Sequence, residues 1–277
     1  MEILAYVANG LLYAGLAVYF WRTRWVTAVA DGSGGGVAPS ARSEHYLVLL
    51  PLAIHTVLLG RSLFAPDGLH LGLANALSAI LWLTVLIYWA GNFVYHLEGL
   101  QAFVLPLAAA ASILPAVLPP AHALPNSEFT VFRFHLLIAM LAYSFFTIAS
   151  LHVLLMALLE RRLHDGALNH VLQKLPPLLT MEALLFRIIW AGFALLTLTV
   201  GSGVFFSEEL FGKPAPMNHK TVFGFISWLI FAALLAGRHV YGWRGRKAVR
   251  WTLAGFLALV LAYIGSRFVL EVILGRS

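Results

Sequence analysis

The sequence predicts an all-α, polytopic transmembrane helical bundle of about eight spans with both termini outside. Three observations carry that prediction. Hydrophobic residues make up 61% of the 277 and charged residues only 11%, with a mean hydropathy of +0.86. A soluble domain carries about 25% charged residues, so lipid must solvate much of this surface. Apolar runs of spanning length recur along the chain, each near the roughly 20 residues that a helix needs to cross a bilayer. Lysine and arginine, finally, fall mostly in alternate connections.

The first run, near 3–21, follows Met1-Glu2 without a basic segment and closes on Trp21 and Arg22 with no small-residue cleavage pattern, so it reads as a retained span. A linker containing Asp31-Gly-Ser-Gly-Gly-Gly36 leads to the second span, near 46–64. The third and fourth, near 72–92 and 99–118, are separated by a turn suggested by Gly91, Asn92, His96 and Glu98. Pro119-Pro120 ends the fourth. The fifth lies near 134–158, and an amphipathic stretch from Leu168 to Leu175 is expected to lie at the interface before the sixth, near 186–206. The seventh and eighth lie near 221–238 and 251–272. No soluble domain interrupts the pattern, so residues 1–277 read as one integral membrane domain.

The odd-numbered connections hold Arg22, Arg24, Arg42, Arg161, Arg162, Lys174, Arg244, Arg246, Lys247 and Arg250. The even-numbered ones hold only Arg61, Arg133, Lys213 and Lys220 at or near their edges. The odd connections are therefore expected on the cytoplasmic side of the membrane. With no cysteine in the chain, disulfides, thiolate metal sites and c-type haem attachment are excluded. The basic residues act as topology signals, and no nucleic-acid partner is expected.

An ionisable group at mid-bilayer costs a few kcal/mol, about 3 on insertion scales, so its position is informative. Of eleven histidines, His55 falls near the middle of the second span. His135 opens the fifth and His219 precedes the seventh, both at the outer boundary; His239 closes the seventh on the inner side, and His152 lies deep in the fifth. For His45, His70, His122, His164 and His170, near helix ends, a hydrogen bond to a carbonyl or headgroup is the default, and it competes with a ligand role at His239 also. Two imidazoles on facing helices can hold one haem iron, and apolar helix surfaces accept the macrocycle. His135 and His152, about 25 Å apart along one helix, cannot share an iron. Arg267 and Glu271 stand four apart in the last span, spaced for an ion pair. There is no zinc motif, nucleotide loop or serine-nucleophile motif.

Several stretches form recognisable motifs: Ile226-Ser-Trp-Leu-Ile-Phe-Ala232 with Gly242-Trp-Arg-Gly-Arg246, and His135-Leu-Leu-Ile-Ala-Met-Leu-Ala-Tyr143. Pro176-Pro-Leu-Leu-Thr180, Asn218-His-Lys-Thr-Val222 and Gly265-Ser-Arg-Phe-Val-Leu-Glu271 add to them. Together they resemble the cytochrome c assembly family of the CcsA/HemX type, and most closely its YpjD branch of bacterial inner-membrane proteins. The similarity runs from about residue 45 to the C-terminus. It implies haem handling, with His55 matching the membrane histidine of the second span and His135 the first outer histidine. Ala236 stands where a second membrane histidine is expected, with His239 one turn on, and the last span lacks the second outer histidine, leaving His219 as its substitute. The connection Ser207–Lys220 lacks the tryptophan-rich motif of the assembly members.

The resemblance thus implies a non-enzymatic protein that binds b-type haem non-covalently through His55, His135, His219 and His239, with His135 and His219 as iron ligands at the outer face. It would assist haem transport or delivery in cytochrome c assembly. Its partners would be membrane lipid, haem, and another membrane protein or an apocytochrome. The alternative is a membrane partner or regulatory subunit that keeps the fold without haem; a small-ion or metabolite transporter is weaker, because paired interrupted helices are missing.

Overall fold

The computed structural model describes residues 2–23, 45–66, 68–95, 99–118, 123–124, 127–164, 177–205 and 219–273. Among the described residues eight helices follow in order: α1 (Glu2–Trp21), α2 (Leu49–Leu63), α3 (Leu73–Gly91), α4 (Gln101–Val117), α5 (Thr130–His164), α6 (Leu178–Phe205), α7 (His219–Tyr241) and α8 (Arg246–Val260). The last continues through two π-helical segments, Leu261–Gly265 and Phe268–Ile273. Seven of these segments are long and apolar enough to cross a membrane, among them His45–Leu63 and Arg246–Ile273. The fourth expected span, α4, is the exception, with 17 residues and with Pro106 and Pro115 inside it. Its length of about 26 Å falls just short of a hydrocarbon core about 30 Å thick.

The chain is a polytopic helical membrane protein. Large apolar side chains such as Leu4, Leu11, Leu50, Trp190, Leu198 and Leu257 are exposed on it, as lipid solvent requires. α1 to α4 pack as one group, in which α1 lies on α4 and α2, and α3 on α2 and α4. α5 to α8 form a second group, with α5 on α6 and α8, and α7 on α6 and α8. The main seam between them is α3 against α5. Between lipid-solvated helices the driving force is close packing. The second group achieves it with paired large and small residues. The rings of Phe146 (α5) and Phe231 (α7) stack 3.8 Å apart. A Cβ on Gly192 (α6) would lie 3.2 Å from the Phe146 ring, and one on Gly255 (α8) 2.8 Å from Phe231. Each of the four helices thus contributes one member of the plug.

Two helices start earlier than the apolar runs suggest. α6 begins at Leu178 rather than near 186, because Glu182 is paired there: its carboxylate accepts from Arg238 at 2.7 Å and lies 3.6 Å from Arg244. α5 begins at Thr130 and runs to His164, its polar ends extending beyond the apolar run. The amphipathic stretch expected at 168–175 and the turn at His96 and Glu98 lie outside the described residues.

The connection Gly242–Gly245 explains the Gly-Trp-Arg-Gly-Arg pattern physically. Gly242 and Gly245 have φ of 65° and 54°, a region that a side chain disfavours. The intervening Trp243 packs onto Gly237, which has no Cβ to displace it, and its N–H donates to the Gly237 carbonyl at 3.2 Å. Arg238 stacks over Phe186, 4.6 Å from the ring centroid, while holding Glu182. Replacing Glu182 by alanine leaves a partly buried guanidinium without its carboxylate. The expected loss is about 3 kcal/mol, read as a lowered melting temperature in detergent, with Arg244→Ala nearly neutral because that side chain is 62% exposed.

At the opposite end, α2 and α3 are joined by a two-stranded antiparallel hairpin, β1 (Phe64–Ala65) and β2 (Gly68–Leu69). The Leu124 N–H donates to the Leu69 carbonyl at 2.8 Å. The same end holds the last turns of α8. Glu271 accepts from Arg267 at 3.0 Å and from the Leu73 backbone N–H at 2.8 Å, so α8 caps the start of α3, where Gly72 supplies no side-chain cap. The i, i+4 pair expected from the sequence forms and faces inward, with side-chain exposures of 20% and 9%.

Candidate functional site

A cavity of about 510 Å³ opens at the hairpin end where the second helix group meets α3, and it draws walls from α3, α5, α6, α7 and α8. Its size falls inside the range of small-molecule sites, about 300–1,000 Å³. Most of its wall is apolar, with Ile80, Phe132, Leu196, Val200, Phe225 and Leu259 among the lining residues. The plug of Phe146 and Phe231 lies below it, Phe146 one turn beyond Tyr143 on α5, which lines the cavity. Polar groups are few, and most are already committed. The Tyr143 hydroxyl donates to the Leu259 carbonyl at 2.6 Å, and the Tyr263 hydroxyl to Leu71 at 3.2 Å.

His135 stands in this wall, five residues into α5 and so about 8 Å from the helix start. Its Nδ1 lies 2.8 Å from the Ser202 hydroxyl of α6, and the neighbouring Gly203 lies against the same ring, a Cβ there meeting the imidazole at an ordinary contact distance of 3.6 Å. A hydrogen bond at one ring nitrogen sets the orientation of the ring, as the outer partners of metal-binding histidines do. Of the last cavity residues that α8 supplies, Tyr263 lies within its first π-helical segment and Arg267 directly before its second. Such departures from the α-helix often occur at functional sites.

The family model described as Cytochrome C assembly protein matches residues 43–274. The chain belongs to the cytochrome c assembly family. Within it the chain is 35% identical over 139 residues to a protein of Escherichia coli (strain K12) named Inner membrane protein YpjD, covering 50% of this chain and 52% of that one. It is 33% identical over 109 residues to a Synechocystis sp. protein named Cytochrome c biogenesis protein CcsA, covering 39% and 33%. A Prochlorococcus marinus (strain AS9601) protein of the same name is 39% identical over 88 residues, covering 32% and 28%. The chain therefore spans about half the length of the first of these relatives and about a third of the others. No solved structure matches. Its apolar helices and its YpjD relative make this member of the cytochrome c assembly family a multi-pass inner-membrane protein.

The four histidines singled out in the sequence do not converge. His55 is enclosed in the first helix group, 1% exposed. Its Nε2 lies 2.9 Å from the Ser78 hydroxyl and its Nδ1 3.4 Å from the Tyr13 hydroxyl, so both nitrogens are engaged between α1 and α3. His239 is exposed near the end of α7 in the second group. His219 is exposed at the start of α7, and its neighbour Lys220 lines the cavity in its place. His152 is buried between α5 and α6, with Nε2 2.9 Å from the Met181 carbonyl. Among the described residues no group of three or more histidine, aspartate or glutamate side chains is placed to hold a metal ion.

The sequence reading missed Ser202, Lys220, Tyr263 and the whole wall of α6. Lys220 stood beside a noticed histidine, and Arg267 was read only as half of an ion pair. Nothing in the spacing of these residues along the chain signals that they share a cavity.

Proposed function

We propose that the protein holds b-type haem non-covalently in this cavity through His135 and assists its transport or delivery in cytochrome c biogenesis. One observation carries the reading: a single oriented imidazole faces an apolar cavity of about 510 Å³ between five helices of a cytochrome c assembly protein. The donor set fits the group. Histidine is a haem ligand, and apolar walls suit a macrocycle and keep water from the metal. Haem is the cargo here, and its iron supplies the ligand-exchange chemistry. The chain binds, orients and shields it, and performs no covalent catalysis. The charge pattern favours placing the hairpin end and both termini on the outer side of the membrane. An apocytochrome or another membrane protein at that end would then be the receiving partner.

A second reading, a haem-free membrane partner or regulatory subunit, draws on a specific observation: His219 lies outside the cavity wall and both nitrogens of His55 are engaged. An absorption spectrum with pyridine haemochrome quantitation, on protein purified in mild detergent from haem-replete cells, separates the two. The first reading expects a Soret band that sharpens on reduction, with about one haem per chain. A clean spectrum, unchanged after haem addition, together with stoichiometric co-purification of another membrane protein, establishes the second.

A further inference from the structure

The cavity wall carries two cations. Lys220 enters it from the first turn of α7, and its Nζ stands 5.6 Å from the Tyr263 ring centroid. Arg267 enters from α8, with its guanidinium carbon 5.8 Å from the centroid of the same ring. One carboxylate answers them, and it is spent: Glu271 gives one oxygen to Arg267 and the other to the Leu73 N–H. Lys220 makes no ion pair among the described residues, and the Arg267 Nε is buried without a hydrogen-bond partner. In a site with mostly apolar walls, two cations sharing one saturated carboxylate leave positive charge uncompensated. That arrangement is costly without an anion to complete it.

The cations occupy one end of the cavity. Lys220 is the second residue of α7 and Arg267 lies in the last turns of α8, both near the hairpin end. Tyr143 and Leu259 lie deeper in the same wall, Tyr143 about 20 Å from the start of α5. The cavity is therefore graded, cationic at its mouth and apolar at its floor, with His135 between. An occupant matching that gradient is an amphiphile with an apolar body and carboxylates at one edge. We propose that Lys220 and Arg267 bind the propionates of the haem, fixing its carboxylate edge toward the hairpin end. This rests on the haem reading above and adds the orientation of the ligand.

The test compares haem with its dimethyl ester, in which both propionates are neutral, using wild-type protein and the K220Q variant in zwitterionic nanodiscs. Lys220 is the better probe because, unlike Arg267, it is not tied to the Glu271 cap of α3; R267Q serves as a second variant after its melting temperature is checked. Wild type is expected to prefer haem over the ester by about tenfold or more, the yield of one charge-assisted hydrogen bond. K220Q should lose most of that preference while the ester's affinity and the Soret position stay unchanged. Equal wild-type affinity for the two porphyrins overturns the proposal while leaving haem binding intact. So does a K220Q variant that weakens both equally, which indicates a packing role. A preference that vanishes when anionic lipid is added assigns the cations to headgroups and overturns it as well. Failure of both porphyrins to bind removes the haem reading itself, and this inference with it.

Discussion

Purified His135→Ala protein is expected to lose its haem while its helix content and melting temperature stay close to wild type. The side chain lines a cavity rather than filling a core, so its truncation enlarges space that already exists. It leaves Ser202 able to keep its other bond, to the Thr199 carbonyl at 3.1 Å. Ser202→Ala should fall between wild type and His135→Ala, lowering haem affinity by about tenfold, because it releases the ring orientation without removing the ligand. His239→Ala, on an exposed side chain of α7, should leave the spectrum unchanged. His55→Ala should lower stability before it changes haem content, since it breaks two contacts tying α2 to α1 and α3. Haem content in the four variants, each normalised to folded protein, decides the matter. Full occupancy in His135→Ala rules out the cavity as the ligand site.

The second large effect is expected at the plug. Phe231→Ala removes the ring that stacks on Phe146 and covers Gly255. In lipid the transfer part of the usual penalty is small, because acyl chains solvate an aromatic ring nearly as well as a protein core does. The void and the lost ring contacts remain, and the expected loss is about 3 kcal/mol. Gly255→Leu should be as severe by the opposite route, since its first added carbon already lies 2.8 Å from the Phe231 ring and overpacking strains rigid helices. Unfolding by denaturing detergent, followed by circular dichroism, measures both. Because the plug lies below the cavity, Phe231→Ala should also weaken haem retention in proportion to its loss of fold, with His135 intact. A Phe231→Ala protein as stable as wild type would mean that the second helix group is held mainly by its other contacts.

The helices themselves were legible because lipid imposes a simple rule on every segment. A run such as 3–21 or 221–238 is apolar over about 20 residues, and nothing but a helix satisfies its backbone in a membrane. The rule reads less well where a charge sits inside a helix. Glu182 and Arg187 made the start of α6 look like a connection, and it is Arg238, far along the chain on α7 and joined by Arg244, that makes Glu182 acceptable there. The hairpin at 64–69 was missed for the converse reason, since two short strands carry too little periodicity to stand out between two apolar runs.

The functional residues divide in the same way. The sequence alone determined a polytopic helical protein without cysteine, with basic residues biased to alternate connections, and it raised His135 as a candidate because a histidine opening an apolar helix is conspicuous. Tertiary structure decided which histidine faces a cavity, that His55 is bound by Tyr13 and Ser78, and that Lys220, Tyr263 and Arg267 meet at one mouth. Burial against lipid is local, set by each segment's own composition, so it can be read one helix at a time. A cavity belongs to no segment: it exists only where five helices fail to close on one another, and no single stretch of chain records where those gaps fall.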